Sequence, residues 1–353
     1  MNETGQIDQE NARLTGISLR TAWENLECDV RKLRPRDAAA KLMVSEAELI
    51  ASFVGERAIR LSTDGIGILS DLPDLGLVKA ITRNAPCVHE KVGHYEKVST
   101  EGRAGLVLGS KIDLRLFPSH WHHSFAVFEQ TEHGLRRSLQ FFDADGTAVH
   151  KIYQTRGSNI DAFERLIAAW RCPDQSTDVA VTPQPQPVAD RPDDTIDVGD
   201  LRRDWAALQD THDFFPLLRR YTVGRLQALR LAASDFARPT AATTLDRVLQ
   251  AARDGNSPIM VFVGNPGCIQ IHTGPIHILK RTGPWLNILD EDFCLHLRED
   301  EIAHAYIVRK PTRDGDVHSL ELFDRDGLCF AQLFGARKPG TPERDDWRSI
   351  LSI

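Results

Sequence analysis

The chain is written twice. Residues Asn84 to Arg156 align without a gap with Asn265 to Arg337 at a constant offset of 181. Cys87 meets Cys268, Gly93 meets Gly274 and His123 meets His304. The run Ser138-Leu139-Gln140-Phe141-Phe142-Asp143-Ala144-Asp145-Gly146 returns as Ser319-Leu320-Glu321-Leu322-Phe323-Asp324-Arg325-Asp326-Gly327. A spacing this long marks a duplicated domain, since solenoid units recur every 20–50 residues or roughly so. The chain is therefore expected to fold as two copies of one architecture. Residues that differ at aligned positions become candidates for a task that only one copy performs.

Composition narrows the class. At 353 residues the chain can hold two units, each large enough to bury a core. With 41% hydrophobic and 26% charged residues it is ordinary for a soluble protein. The net charge of −7 argues against nucleic acid as a partner, because phosphate neutralisation needs a basic face. No apolar run approaches the roughly 18 residues of a membrane span. Met1-Asn2-Glu3-Thr4-Gly5-Gln6 has neither the basic start nor the apolar stretch of a secretory signal, so a cytoplasmic location is expected. Six cysteines without a C-x-x-C indicate neither a disulfide framework nor a zinc site.

From Cys172 to Asp197 the chain runs through Thr182-Pro183-Gln184-Pro185-Gln186-Pro187 and then acidic residues, with almost no bulky apolar side chains. Such a stretch cannot form a core and reads as a linker. The expected organisation is an N-terminal repeat over 14–171, a Pro-rich acidic linker over 172–197 and a C-terminal repeat over 198–353. Each repeat opens with helical spacing, over Thr21 to Lys32 and over Leu201 to Arg219. Short runs rich in Val, Leu, Ile and Phe follow, at 105–108, 112–116, 124–128 and 138–142. Asp143-Ala144-Asp145-Gly146 and its copy read as hairpin turns. Helices grouped before strands predict an α+β fold with large antiparallel sheets.

Two asymmetries between the copies stand out. Matching Trp23-x-x-Leu26 to Trp205-x-x-Leu208 sets His212 opposite Val30. The stripe Leu201, Trp205, Leu208, His212, Phe215 steps by four and three, which predicts a core-facing His212. That residue is either a buried histidine satisfied by backbone or a metal or haem ligand on an apolar wall. At the sheet end, Glu129 becomes Lys310, Lys151 becomes Gln332 and Tyr153 becomes Phe334, while Arg156 and Arg337 keep their charge. These basic residues either hold an anion or line a solvated strand edge. Arg115 lies between apolar neighbours and becomes His296; alternation leaves open which face it takes. The cluster His120-Trp121-His122-His123 lacks a neighbouring fourth ligand at zinc spacing.

Several separate motifs occur in order: Asp113-Leu114-Arg115-Leu116-Phe117, Trp121-His122-His123, Asp210-Thr211-His212-Asp213-Phe214-Phe215, Gly264-Asn265-Pro266-Gly267-Cys268, Lys280-Arg281-Thr282-Gly283-Pro284-Trp285-Leu286-Asn287 and Gln332-Leu333-Phe334-Gly335-Ala336-Arg337. Together they resemble the bacterial haemin-degrading and haem-utilisation proteins of the HemS/ChuS/PhuS type, from about Gly16 to Trp347. The resemblance implies two repeats, each a large antiparallel sheet with helices, and one haem b between them. It implies His212 as proximal iron ligand and Arg115 on the distal face. Lys310 and Arg337 would lie near the propionates, with Gln332 alongside and Arg225 a further candidate. Phe117, Phe215 and Phe262 would line the porphyrin. Phe334 stands where relatives carry tyrosine, keeping the ring but losing a hydroxyl. Two activities are implied: oxidative haem cleavage with an external electron donor, or carriage of haem from an importer to a separate oxygenase or apoprotein.

Overall fold

The computed structural model describes residues 14–29, 33–100, 104–184, 189–338 and 340–352. Val30, the N-terminal Met1 to Gln6 and Pro185 to Pro187 of the linker lie outside the described residues. The helices are α1 (Gly16–Asp29), α2 (Pro35–Leu42), α3 (Glu46–Ala51), α4 (Gly65–Ile68), α5 (Ile160–Trp170), α6 (Val198–Ala206), α7 (Phe214–Tyr221), α8 (Arg225–Leu231), α9 (Thr244–Asp254) and α10 (Asp345–Leu351). Strands of the first repeat are β1 (Ala58–Arg60), β2 (Gly76–Arg83), β3 (Cys87–Gly93), β4 (Lys97–Ser99), β5 (Gly105–Leu108), β6 (Asp113–Leu116), β7 (His123–Thr131), β8 (Gly134–Phe142) and β9 (Ala148–Ser158). Those of the second are β10 (Ala237–Thr240), β11 (Ile259–Asn265), β12 (Cys268–Gly274), β13 (Leu279–Thr282), β14 (Trp285–Leu289), β15 (Phe293–Arg298), β16 (His304–Lys310), β17 (Val317–Phe323) and β18 (Cys329–Gly335).

These strands form two nine-stranded antiparallel sheets, so the fold is α+β as expected. The first sheet runs β1-β7-β8-β9-β2-β3-β15-β14-β13 and the second β10-β16-β17-β18-β11-β12-β6-β5-β4. Each sheet thus takes six strands from one repeat and three from the other. The exchanged strand β6 pairs with β12, setting Arg115 opposite Ile269, and β15 pairs with β3, setting His296 opposite Val88. The sequence offset is the same whether these strands pair at home or across, so the exchange was not foreseeable from it.

A pseudo-twofold axis runs through the seam. Asn84 Nδ2 donates to Gly264 O and Asn265 Nδ2 donates to Arg83 O, both at 2.9 Å. The same amides donate to Phe330 O and Val149 O, again an equivalent pair. Each Asn Oδ1 caps the turn into the next strand by accepting from Cys87 N or Cys268 N. These bonds satisfy backbone groups that burial would otherwise leave unpaired, and they lock the sheets in register. The turns behave as the sequence requires: Gly146 and Gly327 take φ of +80° and +79°, and their N–H groups donate to Asp143 O and Asp324 O.

One face of the second sheet buries Val261, Val263, Leu320 and Leu333 under α9 and α10, through Leu245, Val248, Leu249 and Trp347. Among the described residues the opposite face is covered only at one side, where α6 to α8 pack Trp205, Phe214, Leu217 and Leu218 on Val308 and Phe323. The described part of 172–197 forms no helix or strand beyond a 3-10 turn at Asp193–Thr195. It is tied down by polar contacts, with Arg60 donating to Ser176 O and Asp178 O and Gln227 donating to Arg191 O.

The expected helix over Leu201 to Arg219 is broken. Helix α6 ends at Ala206, a 3-10 turn occupies Thr211–Asp213, and α7 starts at Phe214. Two local signals outweigh the apolar period. The Asp210 carboxylate caps the turn by accepting from His212 N, and Pro216, which lacks an N–H, sits in the first turn of α7. The break resets the helical phase, so Phe214, Leu217 and Leu218 face the core instead of His212 and Phe215.

Candidate functional site

The uncovered part of that face carries most of the residues singled out in the sequence. Cross-strand register aligns Arg115 with Ile269 and Gly264, and Asp113 with Ile271, Phe262, Gln332 and Glu321. One step along, Met260, Phe334, Ser319 and Val308 share the face. Phe117 continues the alternation of Asp113 and Arg115. The result is a half-exposed apolar floor, with Phe262 and Phe334 edge to face at 5.1 Å between centroids. At Gly264 a Cβ would meet Ile269 Cγ1 at 2.8 Å, so the floor stays flat there. Arg115 contacts Asp113 and donates to Leu114 O. It therefore sits on the partly open face, an alternative that periodicity had left unresolved.

His212 is not core-facing: its side chain is 88% exposed, and the neighbouring Phe215 is 64% exposed. Full burial of Phe214, which contributes roughly 1.5–3 kcal/mol, anchors α7 and thereby fixes the turn just before it. Asp210 Oδ1 accepts from both the His212 backbone N, at 2.8 Å, and its Nδ1, at 2.6 Å. A carboxylate only accepts, so Nδ1 carries the hydrogen, and Nε2 is the nitrogen left outward for a ligand. The His212 N–H, then the imidazole and more distant Arg337, hold the Asp210 carboxyl below its usual range. The turn is further fixed by Arg313 N donating to Gln209 O. Sequence reading quoted Asp210 in a motif yet gave it no role; the Asp-x-His spacing of a capped turn was the available signal.

The basic residues differ from a solvated strand edge. Lys310 is 3% exposed and donates to Glu321 Oε1 at 2.6 Å. Arg225 forms a fork onto both oxygens of Glu321 at 2.7 Å and also donates to Gln332 Oε1. Ser319 Oγ donates to the same carboxylate. Burial opposes the charge on Glu321, yet the two cations outweigh it and hold its carboxyl well below the usual range. Lys310 also lies over the Phe214 and Phe334 rings. Arg337 stays half-buried at the sheet end, 3.7 Å from Asp314. Glu321 was missed in the sequence; its aligned partner is Gln140, so the acid gained by one copy was visible in the repeat. Elsewhere, His120 and His122 both turn their Nδ1 to the Asp143 carboxylate, at 2.8 and 3.4 Å.

With this geometry in view, comparison with known proteins is informative. A sequence model described as "Haemin-degrading HemS.ChuX domain" matches twice, at residues 43–170 and 222–353. The chain belongs to this haem-utilisation family. It is 43% identical over 318 residues to "Hemin transport protein HmuS" of Yersinia pestis, covering 90% of this chain and 91% of that one. The structure matches holo-PhuS, a heme-binding protein from Pseudomonas aeruginosa, with TM-score 0.92 and 47% identity over 94% of this chain and 97% of the other. It matches ChuS, described as an E. coli heme oxygenase, with TM-score 0.85 and 38% identity over 95% and 98%. The family has both the α+β architecture and the tandem repeat found here. No helix of the described residues is long and apolar enough to cross a membrane.

Proposed function

We propose that the chain binds one haem b between the turn carrying His212 and the open face of the second sheet, and degrades it to release iron. The observation that carries this reading is the Asp210–His212 pair, which aims a free Nε2 outward beside exposed Phe215, on the side of the sheet that bears Arg115. A haem needs an imidazole, flat apolar walls and cations at one rim. His212 binds the iron, and Asp210 fixes its tautomer. Phe215, Phe262, Phe334 and Phe117 flank the ring and exclude water. Arg337, with Gln332 and the Glu321-bound pair Lys310 and Arg225, forms the propionate side. When bound, the haem supplies the iron and the oxidisable ring, and an external donor supplies electrons. Arg115, on the open face of the sheet, would donate hydrogen bonds toward the bound group and is the residue assigned a catalytic role. The protein acts in the cytoplasm.

A second reading is a carrier that takes haem from an importer and passes it to a separate oxygenase or apoprotein. It is favoured by the exposure of His212 and by Glu321, which already neutralises one of the two cations it binds and so leaves a rim suited to release. Single-turnover assays with reductant and catalase separate the two. Arg115→Ala is expected to keep haem affinity within a few-fold. It should slow reductant-driven loss of the Soret band ten- to a hundredfold, about 1.4–2.7 kcal/mol of barrier. Equal rates in both proteins, abolished by catalase, would favour the carrier. Failure of Arg115→Ala to bind haem would assign Arg115 to the pocket's framework.

A further inference from the structure

The inner faces of the two sheets share a core, in which Leu114, Leu116 and Cys268 of the second sheet meet Ala80, Leu139 and Ile152 of the first. One polar chain crosses it. Tyr95 follows β3, His150 lies on β9, Thr82 on β2 and Cys268 on β12. Tyr95 Oη stands 2.6 Å from His150 Nε2, and Thr82 Oγ1 stands 2.8 Å from His150 Nδ1 and 3.4 Å from Cys268 Sγ. All four residues are at most 1% exposed.

The other repeat does without this chain. At the same offset of 181, Tyr95 becomes Ile276, His150 becomes Ala331, Thr82 becomes Val263, and the neighbouring Trp121 becomes Ile302. Ile276, Ala331 and Val263 are buried in an apolar core. The fold therefore closes with hydrocarbon at these positions, and buried polar groups are costly unless every member is bonded. Their presence in one copy alone marks a task of that copy.

Only one orientation satisfies the chain. A neutral imidazole has one N–H and one lone pair. Burial holds His150 neutral, its pKa lowered to about 3, and pushes the Tyr95 phenol well above its usual range, so the phenol keeps its proton. His150 is the phenol's one hydrogen-bond partner among the described residues. The phenol O–H therefore donates to Nε2, Nδ1–H donates to Thr82 Oγ1, and the Thr82 hydroxyl turns to Cys268 Sγ. The result is a base aimed at a phenolic proton inside a dry core.

This pair lies behind the floor of the open face. On β12, Ile269 faces that floor and Cys268, next to it, faces the core. Trp121 bridges the two: its Nε1 donates to Gly267 O, which also accepts from Phe117 N, and its ring centre is 6.1 Å from that of His150. A tyrosine gives up an electron readily when its proton can leave with it, because the oxidised phenol is a strong acid and imidazole is a proton shuttle. Indole is the other side chain that gives up an electron readily.

We propose that Tyr95 is a redox-active residue that yields one electron, through Trp121, to an oxidant at the open face while its proton passes to His150 Nε2. The O–H bond breaks and leaves a neutral phenoxyl radical beside an imidazolium. One electron from an external donor, with return of the proton, restores the phenol. That the oxidant is peroxide acting at bound haem rests on the reading above. In that setting the pair draws an oxidising equivalent away from the ligand and holds it out of reach of solvent.

The test starts with the haem-free full chain. Photo-oxidised ruthenium tris-bipyridine in solution removes one electron, and transient absorption with freeze-quench electron paramagnetic resonance follows the radical. A tryptophanyl signal should give way to a long-lived tyrosyl signal that forms more slowly in deuterium oxide. Tyr95→Phe keeps the ring and should abolish that signal, and Trp121→Phe should delay it. Tyr153→Phe, Tyr221→Phe and Tyr306→Phe combined leave Tyr95 as the sole tyrosine of the chain and should preserve it. A long-lived tyrosyl signal in Tyr95→Phe, or none in the wild type or the sole-tyrosine chain, overturns the proposal. Peroxide added to the haem-loaded chain should raise the same signal. Its absence there, with the signal present in the haem-free chain, overturns the coupling to the open face, whereas failure to bind haem at all tells against the haem reading alone.

Discussion

Replacing Glu321 by glutamine tests the charge arrangement behind the proposed haem face most directly. Glu321 is fully buried and receives two bonds from Arg225, one from Lys310 and one from Ser319. Arg225 keeps 23% side-chain exposure and can turn toward water, but Lys310, at 3%, cannot. Glu321→Gln therefore leaves a buried ammonium without a counter-ion, a change that costs on the order of 3–5 kcal/mol. Partial solvation of Arg225 and the remaining amide oxygen place the expectation at the low end, about 3 kcal/mol. Urea denaturation at several pH values reads this as a lower midpoint at similar slope. The pH dependence should also change. In the wild type the Glu321 carboxyl is depressed on folding, so its contribution is present above the unfolded value near ~4.3 and is lost as pH falls through the folded value. In Glu321→Gln that term disappears. Burial already lowers the Lys310 pKa, and without the carboxylate the penalty should ease as pH rises toward the unfolded value near ~10.4. Combining Glu321→Gln with Lys310→Met should recover a large part of the loss. A single variant within about 0.5 kcal/mol of wild type, or strictly additive losses in the double variant, would refute the reasoning.

The remaining predictions concern ligand binding. His212→Ala removes an exposed side chain, so melting should be nearly unchanged while haem affinity falls at least tenfold, about 1.4 kcal/mol, with a changed ferric spectrum; an unchanged spectrum would move the ligand to His122 or His123. Asp210→Ala frees His212 Nδ1 and should weaken haem binding by roughly tenfold or more, with Asp210→Asn restoring part of it; equal loss in both would show that charge, not tautomer, matters. Hemin titration should saturate at one haem per chain, because the first sheet has Arg83, Ile81 and Glu129 where the second has Gly264, Phe262 and Lys310; two equal tight sites would contradict this.

The duplication, the Asp-Gly hairpins and the α+β class could all be read from the sequence, since they rest on local chemistry and on an ungapped offset. Strand exchange could not, because β6 has the same residues whether it pairs with β3 or β12. His212 was singled out by comparison of the copies, yet its direction was misjudged. A period of four and three was followed through Asp210 and Pro216, two residues that mark a helix start. Lys310 was expected as a rim cation, but its buried partner Glu321 lies eleven residues away across a hairpin, a contact that only the sheet register creates.

The strand exchange has an ancestral corollary. In the proposed haem site Arg115 and Phe117 come from one repeat and His212 from the other, so neither half would carry that site whole. A chain with a single repeat could complete its sheets only by trading strands with a second copy, and such a dimer would own two identical clefts. Fusing the copies through the segment at 172–197 removes the symmetry constraint: a mutation then alters one cleft and spares the other. Gly264 facing Arg83 and Lys310 facing Glu129 are the kind of divergence that only a fused chain can keep.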